Sequence, residues 1–310
     1  MTVRQSAVAL ELPAIFHAAD ASSLAGQRRF LRATKLRLVT LTLAAGAGGV
    51  SWTVGGADYA GILAAVAFVA ALAAEVFILQ TQPDRVWFEG RAAGESAKTL
   101  AWRYAVGGEP FCLTSVIGAD ADRLLVERLN DVLHDLDELD LSSTLADGLQ
   151  ITPAMRALRG ETLDARKAAY ETDRIADQQA WYAAKARWNA AHARRWSAAM
   201  VTVEALGGIG AILKATGALS GAALVLGLFG AAGAAIAAWL QTRQHQALAG
   251  AYSVAANELA SIRALIPWQQ TEETWAAFVR DAERAISREH SLWRSSRRVR
   301  ATTPFGGVSE

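Results

Sequence analysis

The stretch YAGILAAVAFVAALAAEVFIL, Tyr59 to Leu79, decides the architecture. It carries one charged residue, Glu75, in an otherwise small and apolar run. At 1.5 Å per residue, a helix of about 20 residues crosses a bilayer core about 30 Å thick. Three further segments share this character. Leu38–Ala57 and Ala215–Leu240 are uncharged, and Trp196–Leu213 carries only Glu204. A buried soluble helix can also be apolar all round. Two pairs of this length in a chain of 310 residues point to lipid instead.

The segments pair into hairpins, with Asp58 alone between the first two and Lys214 alone between the second two. Turns this short send each pair out and straight back. Both hairpins end on the same triplet, Leu79-Gln80-Thr81 and Leu240-Gln241-Thr242. A basic, aromatic helix leads into each: AGQRRFLRATKLR before the first and QQAWYAAKARWNAAHARRW before the second. A helical arm follows each: WFEGRAAGESAKTLAWRY, with Gly90 and Glu95, and ALAGAYSVAANELASIRAL, with Gly250 and Glu258. The pattern reads as a tandem duplication of one helix–hairpin–helix unit. The expected fold class is an all-α membrane protein with two tandem transmembrane hairpins and long cytoplasmic helices. Residues 1–110 form the first unit, with spans near 38–57 and 59–79. Residues 111–160 form a helical connector. Residues 161–310 form the second unit, with spans near 196–213 and 215–240 and a basic tail. No breaker interrupts 162–206, so one long helix is expected to run from the cytoplasm into the third span. Strands have no support, because alternation is nowhere sustained.

Positive charge sets the orientation. Arg28, Arg29, Arg32, Lys35 and Arg37 precede the first span, Lys185, Arg187, Arg194 and Arg195 precede the third, and Arg243 follows the fourth. The positive-inside rule places both termini and the 82–195 region in the cytoplasm. Trp196 and Trp239 fall where interfacial aromatic residues belong. The N-terminal MTVRQSAVALELPAIF is interrupted by Glu11 and reads as mature chain rather than a signal peptide.

Two residues stand out within the spans. Glu204 lies about 12 Å beyond Trp196 along the helix. A charge at that depth costs about 2.5–3.5 kcal/mol on insertion scales. It is either a pore-lining carboxylate facing water or a protonated or hydrogen-bonded group packed between helices. Glu75 sits close to the cytoplasmic end of its span and either lines the inner mouth of a pore or serves as an interfacial packing residue. Gly46 and Gly49, Gly207 and Gly208, and Gly217, Gly221 and Gly230 recur in the spans, as close helix packing requires. A four-helix bundle is too thin to enclose a wide channel, so a pore requires a homo-oligomer.

The remaining chemistry is sparse. With 31 basic and 30 acidic residues, the chain lacks the basic excess of a nucleic-acid protein. The single cysteine, Cys112, excludes an internal disulfide framework and reads as a buried hydrophobe. His17, His134, His192, His245 and His290 show no ligand spacing, and the acidic run Asp131–Leu141 reads as a solvated helix face, so no metal site is expected. The glycine-rich GGEP at 107–110 has no following lysine, and no nucleophile–base constellation is present. Neither an enzyme nor a bound cofactor is expected. The tail from Arg294, with Arg297, Arg298 and Arg300, reads either as a solvated end or as a contact for anionic headgroups.

Three strings, GRAAGESAKTLAWRYAVGGEPF (90–111), RIADQQAWYAAKARW (174–188) and FVRDAERAISREHSLW (278–293), resemble the SLATT family. In that family a two-helix membrane hairpin is joined to cytosolic helices, and this chain resembles a tandem form. The resemblance implies a membrane effector of a prokaryotic immune or conflict system that answers a cytoplasmic sensor or nucleotide second messenger. It also implies oligomerisation, with pore formation or membrane disruption as the outcome. The family offers no catalytic residues to carry over. From the residues alone, a membrane-anchored scaffold or sensor that recruits a cytoplasmic partner without conducting ions is the alternative.

Overall fold

The computed structural model describes residues 10–134, 148–218 and 223–301. The chain is built almost entirely of helices, arranged as two compact units. One unit holds the described residues of Met1–Ala25, Arg85–Ala184 and Ala251–Glu310, and the other holds Gly26–Asp84 and Lys185–Gly250.

Helix α1 covers Ala14–Gly48. The helix expected over 38–57 therefore stops at Gly48, and residues 49–58 form the turn. Thr53–Val54 (β1) pairs antiparallel with Ala57–Asp58 (β2), in the register Thr53↔Asp58 and Val54↔Ala57. Gly55 and Gly56 carry the positive φ values, 59° and 88°, that a tight hairpin turn demands. Asp58 is the N-cap of α2 (Tyr59–Thr81): its carboxylate accepts the N–H groups of Ala60 and Trp52, both at 3.1 Å. The second turn is also wider than one residue. Helix α7 (Asp177–Ala215) takes in Lys214, Gly217 then turns with φ 74°, and α8 spans Ala223–Arg243.

The repeated triplet has a structural counterpart. Gln82 (φ 39°) follows α2 and Gln244 (φ 50°) follows α8, each as a single left-handed residue. Helix α3 (Pro83–Val106) and helix α9 (His245–Leu265) start immediately afterwards. Before each kink a threonine hydroxyl bonds back to its own helix: Thr81 to the Phe77 carbonyl at 2.7 Å and Thr242 to the Ala238 carbonyl at 2.8 Å. Pro83 disfavours right-handed helix at Gln82, which explains the first kink. No proline accompanies Gln244.

The unit of Gly26–Asp84 and Lys185–Gly250 is sorted by size rather than polarity. On α2 the buried residues are Ala60, Ala64, Ala67, Ala71 and Ala74, an alternating four-and-three spacing that makes one straight seam. Large apolar residues face outward instead, among them Val66, Phe68, Val69 and Leu72, the last 63% exposed. Val201, Ile209 and Ile212 on α7 do the same. Soluble surfaces rarely expose contiguous apolar patches of this kind. Among the described residues, three helices are long and apolar enough to cross a membrane: Tyr59–Val106, Leu163–Ala215 and Val225–Trp268. The apolar end of α1 is not one of them.

The other unit has a conventional core. Helices α4 (Gly118–His134), α5 (Pro153–Arg159), α6 (Leu163–Ala169) and α10 (Glu272–Ala301) join α3, the start of α1, most of α9 and a π-helical segment at Tyr170–Ala176. Trp102, Val106, Tyr170, Trp275 and Val279 centre one buried cluster. Ile15, Tyr104, Phe111, Leu125, Leu129 and Met155 centre a second. The acidic run beyond His134 and the loop through Asp147 lie outside the described residues.

Candidate functional site

In the hairpin unit, Glu204 is exposed on α7, with no ion pair or side-chain hydrogen bond among the described residues. Val201 and Gly208, one turn to either side, are exposed with it. Glu75 has a partner: its carboxylate pairs with Arg37, linking α2 to α1. Arg37 is thus part of an interhelical ion pair as well as of the basic entrance, and the packing role of Glu75 is the one with a visible contact.

The glycines divide by what they touch. A Cβ at Gly46 would stand 3.3 Å from Leu228 on α8, one at Gly207 would stand 3.4 Å from Phe229, and one at Gly210 would stand 3.3 Å from Leu226. These positions let α8 approach α1 and α7. Gly208 and Gly230 have nothing within 4 Å, and Gly217 serves the turn. The Gly49 N–H bonds the Gly46 carbonyl at the end of α1. Gly221 lies outside the described residues.

Of the expected interface anchors, Lys35, Trp196 and Trp239 come together. Arg28, Arg29, Arg32, Arg194 and Arg195 are exposed. The Trp196 and Trp239 rings lie 6.2 Å apart between centroids, tilted at 56° to each other. Lys35 lies 5.3 Å and Arg243 lies 5.7 Å from the Trp239 ring, and Arg243 is also 5.9 Å from Trp188. Beside them His245, 3% exposed, shares a 2.7 Å hydrogen bond with Asn189. Burial, then the charges of Arg243 and His192, push the His245 pKa down from 6.5 to about 4.

The most ordered chemistry sits in the other unit. Arg174 and Glu283 are fully buried and face each other, with Nε at 2.9 Å and Nη2 at 2.7 Å from the carboxylate. The Tyr170 hydroxyl donates to Glu283 at 2.9 Å, Thr99 donates at 2.8 Å, and Glu95 reaches Arg174 at 3.1 Å. Burial works against the Arg174 charge. The Glu283 carboxylate and its hydrogen bonds outweigh it and hold the guanidinium pKa above its usual value. Burial, then the Glu283 charge, push the Tyr170 phenol well above its ordinary range.

Two more buried arginines clamp the loop after α3. Arg159 donates to the carbonyls of Tyr104, Phe111 and Val116 at 2.7–2.8 Å. Arg166 donates to the Val106 carbonyl at 2.8 Å and pairs with Glu272. The Trp275 indole donates to the same Val106 carbonyl at 2.8 Å. In this arrangement GGEP is held as a structural loop: a Cβ at Gly108 would stand 2.4 Å from Val279. The charges that fill this core escape a search for catalytic motifs. Arg159 ends α5 and Arg166 lies in α6, across the break at Gly160–Thr162. From Arg166 to Arg174 the chain stays helical: seven residues would keep one face, whereas the eight present would rotate the side chain by about 80°. The π-helical segment at Tyr170–Ala176 absorbs the extra residue and returns Arg174 to the face.

The arms of the repeat also differ in their packing. A Cβ at Gly90 would stand 2.9 Å from the Ala19 carbonyl and the Ser23 N–H nitrogen, so α3 crosses α1 at glycine distance. Gly250 has nothing within 4 Å. Among the described residues, no group of three or more His, Cys, Asp or Glu side chains could hold a metal ion.

Residues 13–167 match the SMODS and SLOG-associating 2TM effector domain 3, and residues 170–293 match the SMODS and SLOG-associating 2TM effector domain 1. No curated protein and no solved structure matches the chain. The two matches meet at the helical stretch before Tyr170, where Arg174 of the second domain reaches Glu95 and Thr99 of the first. The domains therefore share one buried core. Together they cover most of the sequence, and the chain belongs to the SLATT family as a tandem of two of its domains.

Proposed function

We propose that the chain is a membrane effector of a prokaryotic conflict system that assembles into homo-oligomers and opens a pore, or disrupts the inner membrane, when a cytoplasmic signal arrives. Both termini lie on the cytoplasmic side, and the chain acts without catalysis, metal or cofactor. The observation that carries this reading is Glu204, a carboxylate exposed on an apolar helix with no partner among the described residues. Lipid tails cannot solvate it. A second copy of the chain, or water held between copies, can. Helix α7 carries residues of both units, so turning it about its axis turns Glu204 as well. That gives the two states a gating step needs. The association of these domains with SMODS and SLOG modules supports a sensor or a nucleotide second messenger as the trigger.

The test is membrane potential in cells expressing the chain with its genomic partner. Depolarisation is expected, and Glu204→Gln should weaken it. Depolarisation that Glu204→Gln and Glu75→Gln leave untouched removes both residues from the conducting path. Purified chain that recruits its partner yet never releases dye from liposomes refutes conductance in favour of a tethered scaffold.

A further inference from the structure

The Trp239 side chain is 9% exposed, and its indole N–H is buried without an acceptor among the described residues. A buried donor left in that state costs about 1–3 kcal/mol. The groups around it do not help. Lys35 lies 5.3 Å and Arg243 lies 5.7 Å from the ring, and both side chains are donors only. Lys185 adds a further cation 5.9 Å from Trp188, the ring that Arg243 also approaches. The two carboxylates within the spans are engaged or distant. Glu75 pairs with Arg37, and Glu204 lies about 12 Å from Trp196 along α7. Positive charge from α1 and α8 thus stands beside a neutral N–H that has no acceptor among the described residues.

We infer that Trp239, Lys35 and Arg243 form a binding site for a phosphate-type anion. The site lies at the basic end of the hairpins, where lipid headgroups stand. The phosphodiester of an anionic phospholipid meets its chemistry: an oxygen for the indole N–H and a charge for the two cations. This inference rests on the membrane reading of the hairpin unit. The two fail differently. Without a membrane-embedded unit the chain does not enter nanodiscs, whereas without the site it enters them and Trp239 ignores the headgroup.

The experiment uses full-length chain with 15N-labelled indoles in nanodiscs, with the Trp239 cross-peak assigned by its loss in Trp239→Phe. Replacing part of the phosphatidylcholine with phosphatidylglycerol should move that peak downfield in a saturating manner. The Trp275 peak, whose N–H already has the Val106 carbonyl, should stay in place. Lys35→Gln should reduce the shift at a given phosphatidylglycerol fraction, and Arg243→Gln should do the same. A saturating shift from inorganic phosphate in phosphatidylcholine discs, with none from phosphatidylglycerol, keeps the anion site and assigns it to a soluble phosphate. A Trp239 peak unmoved by either, or moved equally in the wild-type chain and both variants, overturns the site.

Discussion

Glu283→Gln tests how far the shared core depends on its buried ion pair. The substitution keeps the shape of the side chain and removes its charge. In the wild-type chain the carboxylate accepts from Arg174 Nε and Nη2 at 2.9 and 2.7 Å, from Tyr170 at 2.9 Å and from Thr99 at 2.8 Å. Afterwards the buried Arg174 cation keeps Glu95, at 3.1 Å, as its counter-charge among the described residues. Removing one partner of a buried pair costs about 3–5 kcal/mol. Because Glu95 remains, the lower end applies. A loss of about 3 kcal/mol is roughly a 150-fold fall in the folding constant, or about 6–12 °C in Tm for a unit of this size. Near-UV circular dichroism of the detergent-solubilised chain reads the transition. Arg174→Met should cost a similar amount, and the double variant should cost less than the sum by about 2 kcal/mol or more. Single losses below about 1 kcal/mol that simply add would refute the argument that these charges hold each other in place.

Further expectations come from the kinks and arms. Gly90→Ala should destabilise the chain by about 1–3 kcal/mol, because its Cβ would meet α1 backbone at 2.9 Å. Gly250→Ala, in open helix, should stabilise it by about 0.5–1 kcal/mol; thermal unfolding of the two variants should move in opposite directions. His245 takes up its proton at about 4 in the folded chain, against 6.5 ordinarily. Its contribution to stability is therefore complete above 6.5 and is lost as pH falls toward 4. His245→Phe should unfold with a shallower pH dependence across that window, and parallel profiles for the two chains would contradict the assignment.

Much of this molecule was legible in its sequence because lipid and water sort residues by simple rules. The charge-free runs, the flanking arginines and the repeated Leu-Gln-Thr each follow from local chemistry, and the repeat reappears as the Gln82 and Gln244 kinks. Helix ends were less legible. Val50, Trp52 and Val54 are apolar enough to extend a span on paper, yet Gly55 and Gly56 favour a β-turn once the chain must reverse. Gly90 and Gly250 look equivalent as letters, but only one faces a neighbouring backbone. The buried arginines were least legible. Arg159, Arg166 and Arg174 form no motif, and their partners, the loop carbonyls, Glu272 and Glu283, lie far along the chain. A residue whose role depends on partners distant in sequence leaves little local trace.

Site-directed cysteine labelling tests the central claim, that lipid covers the apolar exterior of the hairpin unit, most directly. In a Cys112→Ser background, Leu72→Cys, Trp52→Cys and Arg28→Cys place thiols at three positions that are exposed within the chain. A membrane-impermeant maleimide added to intact spheroplasts should label Trp52→Cys, at the tip of the first hairpin. Arg28→Cys should be labelled only after permeabilisation, and Leu72→Cys should be protected in both conditions. Rapid labelling of Leu72→Cys, at the rate of a thiol in open water, would contradict the account.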